Sequence, residues 1–327
     1  MGLVSIVAAR GRLRSPMYRG RFAPSPTGPI HLGTARTALV ACLRARSRGG
    51  ALVLRMEDLD GPRVRPGAAA ALLDDLRWLG LDWDEGPDVE GPHAPYTQSE
   101  RSAHYEQAFE RLKSAGHLFA CTCSRKEIAE IASAPHGEEA RYPGTCRAGA
   151  THPDRAPAWR FRHPSAAPFV DLLAGPSRPG LGAGDFVVRR ADQVFAYHLA
   201  VVADDLQMQI TEVVRGDDLL AATPRQLALI DALGGQKPSY LHVPLVLGPD
   251  GERLAKRHGA IAIAAFREAG VTSRALVGAL ARSLGLAQEG EALAPVELVE
   301  RFSLDALPRE PARMDPSDLL PAGLHTS

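Results

Sequence analysis

Lysine is almost missing from this 327-residue chain: Lys113, Lys126, Lys237 and Lys256 stand against thirty-four arginines. With 38 basic and 38 acidic side chains the formal net charge is zero. That excludes a protein held on nucleic acid by bulk charge and leaves only a local basic face. Four cysteines are too few for a disulfide scaffold, and Cys121 and Cys123 stand too close to bridge each other, so a reducing, cytoplasmic setting is expected. Long apolar runs are absent as well. The runs 38–43 and 241–247 fall far short of the roughly 18 residues of a spanning helix, and no membrane protein is expected. The first twenty residues carry Arg10, Arg12, Arg14 and Arg19 without an acid, but the apolar run 3–9 precedes them, the reverse of a secretory signal. Residues 1–20 read as a disordered lead-in, with Met17 as an alternative start.

What is present is globular and α/β in pattern. Hydrophobic residues make up 45% and charged residues 23%, which sets aside collagen-like, disordered and coiled-coil chains. At roughly 100–200 residues per domain, the length fits two domains or one large domain with insertions. Arg21, Phe22 and Ala23 read as a strand, and the prolines and glycine of 24–29 end it. Ala35, Ala38, Leu39, Cys42 and Leu43 then recur at helical spacing over 34–48, and 51–56 is a buried-type strand entering the acidic turn Glu57-Asp58-Leu59-Asp60. Strand, helix and strand in this order imply a parallel sheet with a right-handed crossover. Further helices are expected over 68–79, 101–115, 197–205 and 224–233, and strands over 186–190, 210–215 and 241–247. Between about 121 and 179 short Pro-, Ala-, Gly- and His-rich segments suggest an insertion. After Arg257 the chain reads as helical to Leu284 and weakly patterned beyond.

Two motifs carry chemistry. Pro24-Ser25-Pro26-Thr27-Gly28-Pro29-Ile30-His31-Leu32-Gly33-Thr34 is a rigid loop that delivers a histidine and a glycine to the mouth of a helix. Free N–H groups and the positive dipole end suit phosphate there. Gly33 allows a base or phosphate to approach the backbone, and His31 can donate to phosphate oxygens. Taken alone, the segment is also a plain Pro-rich loop before a helix. The second motif, 251–259, is a basic loop in which Lys256 is a rare compact ammonium, suited to a pyrophosphate leaving group. Alone, it is equally a solvated turn.

Together, and in this order, the two motifs resemble the signatures of class I aminoacyl-tRNA synthetases. The segments 21–33 (RFAPSPTGPIHLG), 55–60 (RMEDLD), 197–205 (YHLAVVADD) and 211–218 (TEVVRGDD) resemble the catalytic domain of the glutamyl-tRNA synthetase family, over 21–284. The resemblance implies a Rossmann-like class I catalytic domain with a parallel sheet, a zinc-bearing insertion and a short C-terminal helical stem-contact segment. It implies a division into a lead-in (1–20), the first half of the catalytic domain (21–118), the insertion (119–185), the second half (186–257) and a stem-contact-like segment with a tail (258–327). By the same resemblance Arg21, Ala23 and Ser25 line a glutamate site, Glu57 takes the substrate ammonium, and Tyr197 and Arg215 hold its carboxyl end. His31, Gly33, Thr34 and Lys256 serve ATP, and His31 and Lys256 are the catalytic pair. An amino acid with two carboxylates and one ammonium does call for guanidinium forks and one fixed carboxylate. The plainer alternative is that either arginine forms a structural ion pair with Asp58 or Asp217.

The chain departs from the pattern in three places. Arg253 and Ala255 stand where the family's loop carries Lys and Ser, Val201 replaces an Asn, and there is little room for an anticodon-reading domain. Truncation, Val201 and the cysteines resemble the glutamyl-Q tRNA(Asp) synthetase family. Its members activate glutamate with Mg²⁺ and ATP, and pass it to the queuosine base at the wobble position of tRNA(Asp). The resemblance implies a structural zinc ion on Cys121, Cys123, Tyr142 and Cys146, with His136 or His152 as the alternative fourth ligand. Cys42 falls in a helix's apolar stripe and reads as core. A monomer is expected. The rival readings are a truncated enzyme that charges a tRNA 3′ end, a non-catalytic glutamate- or RNA-binding paralogue, and a small-molecule adenylyltransferase.

Overall fold

Short apolar strands alternate with helices along the first part of the chain, and that alternation builds the sheet. The structure is a computed structural model and describes residues 17–124, 126–128, 141–163, 165–254 and 261–320. Strand β1 (Arg19–Phe22) leads through α1 (Leu32–Ser47) to β2 (Ala51–Leu54), followed by α2 (Ala68–Trp78) and α3 (Ser102–Ser114). Then come β3 (Leu118–Cys121), β4 (Ala158–Phe161), the small hairpin β5 (Val170–Asp171) and β6 (Gly175–Pro176), and β7 (Phe186–Arg189). The chain continues through α4 (Tyr197–Gln207), β8 (Glu212–Gly216), α5 (Thr223–Ala232), β9 (Ser239–Val243) and β10 (Val246–Leu247). It ends in α6 (Ile263–Glu268), α7 (Ser273–Ser283) and β11 (Ala312–Arg313).

The main sheet has the order β2-β1-β8-β9, and every pair in it is parallel. The chain leaves β1 toward β2 on one side and returns to β8 on the other, so the order reverses at β1 and β8. In an open parallel sheet a crevice opens beyond the carboxyl ends of the strands at such a point. Arg21 and Phe22 end β1, Arg215 and Gly216 end β8, and Glu57 lies three residues past β2. Helix α1 packs against this sheet through Ala38, Leu39, Cys42 and Leu43, joined by Leu76, Phe266 and Leu280 in one core. Cys42 is core, as its spacing implies, and burial pushes its thiol up to about 11.

A second sheet, β3-β4-β7, is antiparallel and packs on α3 and α4 through Phe109, Leu112, Phe161, Val188 and Leu199. It straddles the expected border at 185/186, since β7 pairs with the insertion's own β4.

Helix α1 begins at Leu32, within the 30–34 segment read as opening it, where Ile30 and Leu32 are buried. Three expectations need correction. The lead-in does not reach residue 20: Arg19 and Gly20 belong to β1, paired with Ala51 and Leu52, and the Arg19 guanidinium grips Glu85 at 2.7 and 3.0 Å. The expected strand 241–247 is two strands, interrupted at Pro244, which has no N–H for a ladder; its carbonyl is taken by the buried Arg36 at 2.6 Å. The segment after 258 does not stand apart. Within it α6 and α7 bury Phe266 and Leu280 in the main core, Arg36 also donates to the Ser283 hydroxyl and carbonyl, and β11 pairs with β10. Close packing reaches the backbone at Gly278, where a Cβ would lie 1.7 Å from the Glu291 carbonyl.

Candidate active site

The crevice is a cavity of about 470 Å³. It brings together nine of the residues singled out from sequence: Arg21, Ala23, Ser25, His31, Gly33, Thr34, Glu57, Tyr197 and Arg215. Lys256 lies outside the described residues. At one end α1 presents its N-terminus, with His31 as N-cap residue in extended conformation and no side-chain cap on the first turn. The opening N–H groups and the dipole therefore face the cavity at Gly33 and Thr34. A Cβ at Gly33 would meet nothing within 4 Å, so the chain's own packing leaves that space open. Phe22, Val214, Leu219, Leu245 and Val246 supply an apolar wall.

At the other end the charges are counterbalanced below the cavity floor. Asp205 accepts from Arg55 at 2.8 Å and lies 3.4 Å from Arg21, while Asp204 accepts from Arg101 and from Gln98 at 2.6 and 2.8 Å. Burial alone would raise the Asp205 carboxyl, but Arg21 and Arg55 hold it below the usual range. Burial pushes the Glu57 carboxyl up, while Arg55, whose Nη2 donates to it at 3.2 Å, and Arg21 pull it back. Not every donor here is satisfied. Arg21 Nη2 is buried with no hydrogen-bond partner among the described residues, a costly arrangement unless a ligand supplies the acceptor.

Arg215 is held differently. It has no carboxylate partner among the described residues; its Nε donates to His242 Nε2 at 3.0 Å, Nη1 to Gln226 Oε1 at 2.8 Å and Nη2 to Thr223 Oγ1 at 2.8 Å. Its contacts with Tyr197 Oη and the Leu219 carbonyl are longer, 3.5 and 3.3 Å. The alternative of structural pairs with Asp58 or Asp217 is not what forms. Asp58 instead accepts from the Ser99 amide and hydroxyl at 2.7 and 2.6 Å. A cavity with guanidinium groups, one carboxylate and a helix N-terminus can hold an amino acid and a nucleoside triphosphate side by side.

The family profile described as tRNA synthetases class I (E and Q), catalytic domain, matches residues 17–321. The chain belongs to this family. It is 53% identical over 311 residues to the glutamyl-Q tRNA(Asp) synthetase of Symbiobacterium thermophilum, covering 91% of this chain and 96% of that one. The protein of the same name from Nitratidesulfovibrio vulgaris is 49% identical over 316 residues, covering 93% and 97%. The crystal structure of glutamate-tRNA synthetase from Elizabethkingia anophelis superposes with a TM-score of 0.81 at 28% identity, over 93% of this chain and 69% of that one.

Within this class I synthetase the thiols form a second cluster, at the end of β3. The sulfur atoms of Cys121, Cys123 and Cys146 lie within 4.8 Å of one another. The Tyr142 hydroxyl completes the group, 3.4 Å from Cys121 Sγ and 3.8 Å from Cys123 Sγ, and Cys123 and Cys146 are 3.5 Å apart. Those separations suit four donors around one tetrahedral ion with bonds of roughly 2.0–2.3 Å. Burial would raise the Cys146 thiol, yet hydrogen bonds from Thr151 and Thr122 hold it down to about 5. His152 is not in the cluster, since its ring turns to Glu127 at 3.2 Å, and His136 lies outside the described residues.

Three buried polar residues that hold the site's arginines escaped sequence reasoning. Asp204 and Asp205 lie near the end of the largely apolar α4, and His242 interrupts the apolar run of β9. A polar residue inside a run that must be buried is the signal that would have found them.

Proposed function

We infer that the protein activates glutamate with ATP and transfers it to the queuosine base of tRNA(Asp). The observation that carries this is the single cavity that joins the glutamate constellation of Arg21, Glu57, Tyr197 and Arg215 to the phosphate-facing start of α1. Near-complete coverage of relatives named glutamyl-Q tRNA(Asp) synthetase supports the acceptor.

In the first step a glutamate carboxylate oxygen attacks the α-phosphorus of ATP, supplied as its magnesium complex, and pyrophosphate leaves. His31 and the α1 N-terminus at Thr34 stabilise charge on the phosphoryl oxygens, and Lys256 meets the leaving group. In the second, a hydroxyl of the queuosine cyclopentenediol attacks the activated carbonyl and AMP leaves. No side-chain nucleophile is needed. A smaller cavity of about 240 Å³ shares Ser25, Glu57 and Tyr197 with the first and opens past Asp60, Gln98 and Arg190, giving the acceptor a route to the carbonyl.

The Cys121, Cys123, Tyr142 and Cys146 donor set would hold a zinc ion, whose contribution is to tie down the segment around β3 rather than to take part in the reaction. Residues 258–327 are read as the surface against which an RNA stem rests, and the cytoplasm as the place of the reaction. The deciding experiment offers radiolabelled glutamate and ATP to tRNA(Asp) with and without queuosine at position 34. Label on the queuosine form alone is the expected result. Equal label on both forms would mean that a tRNA 3′ end is the acceptor.

A further inference from the structure

The residues that hold Arg215 form a chain with a direction. Arg215 Nε–H can only donate, so the His242 Nε2 that faces it at 3.0 Å must accept. The neutral ring then carries its proton on Nδ1, which points at Asp171 Oδ2 at 2.6 Å. A second ring proton would set N–H against N–H beside a fixed guanidinium; burial and Arg215 both press the ring toward its neutral form. The carboxylate cannot turn away, because Asp171 Oδ1 accepts from the backbone amides of Leu173 and Ala174 at 2.9 and 2.8 Å. All three side chains are buried. Asp171 ends β5, in the segment expected to be only a zinc-bearing insertion, while Arg215 and His242 sit side by side on β8 and β9.

We propose that Asp171 and His242 are positioning residues for substrate: Asp171 fixes the His242 tautomer, and the bare Nε2 of that ring aims the Arg215 guanidinium into the cavity. This rests on the reading of Arg215 as a glutamate-carboxylate group. With Nε, Gln226 and Thr223 fixing the guanidinium plane, only the two long contacts, to Tyr197 and the Leu219 carbonyl, need yield to an incoming carboxylate. The arginine is thereby set for substrate without a competing anion, which an ion pair would have provided.

Asp171→Asn separates this from a structural role. The two backbone amides keep the side-chain oxygen where Oδ1 was, so the new NH₂ faces His242 Nδ1. The ring must accept there, its proton moves to Nε2, and Nε2–H meets Arg215 Nε–H. Shape is kept and the tautomer is wrong; the new NH₂ also faces the His242 backbone N–H, which donates to Oδ2 at 3.2 Å, a cost that a His242→Gln background shares and so subtracts. In glutamate-dependent ATP–pyrophosphate exchange, Asp171→Asn is expected to raise the glutamate KM about tenfold, with kcat and the ATP KM little changed. The ¹⁵N spectrum of the His242 ring should show the proton move from Nδ1 to Nε2.

His242→Gln offers an amide oxygen where Nε2 was and has no tautomer to set. It is expected to lose less than His242→Leu, and adding Asp171→Asn to it should cost far less than Asp171→Asn costs the wild type. Equal cost of Asp171→Asn in the two backgrounds, or an unchanged glutamate KM beside a raised one in Arg215→Ala, overturns the relay alone. An unchanged glutamate KM in Arg215→Ala overturns the glutamate reading of the site together with the relay.

Discussion

The two ends of this molecule hold their functional groups by opposite means. At the end of the parallel sheet, arginines and carboxylates face each other in a deep core: Arg55 and Arg21 share Asp205, and Arg101 takes Asp204. At the end of the antiparallel sheet, three sulfurs and a phenol hydroxyl crowd together over a core of little more than Phe119 and the ligands themselves. In the first region Arg21, Arg55 and Arg101 find carboxylates within the chain, Arg215 does not, and among the described residues the buried Arg21 Nη2, which lines the cavity, has no hydrogen-bond partner. In the second the thiols are close enough to repel once ionised, an arrangement whose charge a metal ion would balance. A site prepared for an anion can be rigid before its ligand arrives. The prediction for the thiol cluster is that its order would depend on such an ion.

The largest expected effect breaks the first region. Asp205→Ala strands Arg55 and Arg21 without their shared carboxylate, and urea unfolding should show a loss of about 3–5 kcal/mol. Breaking the second should be local. The purified protein should hold about one zinc equivalent per chain, lost in Cys146→Ser. Hydrogen exchange should then quicken around β3 and residues 141–152 while the parallel sheet keeps its protection. Global unfolding on chelation would mean that the two regions are not independent.

Smaller changes sharpen the contrast. Gly33→Ala places a methyl group in space the chain leaves open, and should raise the ATP KM by about tenfold with the melting temperature unmoved. A pH dependence, gradual rather than abrupt, comes last. Burial, with Arg225 and Arg215 nearby, lowers the His198 pKa from 6.5 to about 3. The unfolded chain therefore binds a proton below 6.5 that the native state refuses. Stability from this group is present above pH 6.5 and lost as the pH falls toward 3, by up to about 1.4 kcal/mol per pH unit. His198→Asn should flatten that slope in denaturation curves taken across the window.

Much of the site was legible through the resemblance of four motifs to a known family, and the fold shows why those motifs meet: several of their residues sit at strand ends. Arg21 and Arg215 lie next to the ends of β1 and β8, Glu57 follows the apolar β2, and a strand, helix, strand order forces such ends to one edge of the sheet. Gly33 and Thr34 were legible because a proline-rich loop before a helix has few other conformations. What stayed hidden came from pairings far apart in sequence. Nothing local in Val170-Asp171-Leu172 announces that its carboxylate will reach His242, and nothing local in Asp204-Asp205 announces that Arg55 and Arg101 will close over it. The fold was misread where one residue outweighed a run, as at Pro244, and where weak patterning around residue 312 concealed a strand paired with β10.

The central claim is that two guanidinium groups and one carboxylate select glutamate in this cavity. It is tested most directly by ATP–pyrophosphate exchange with glutamate, glutamine and aspartate offered singly. Glutamate alone should drive exchange, since the amide of glutamine turns N–H donors toward guanidinium donors, and aspartate is one methylene shorter than the substrate for which the site is read. Exchange driven equally by glutamine, or by none of the three, would contradict the account.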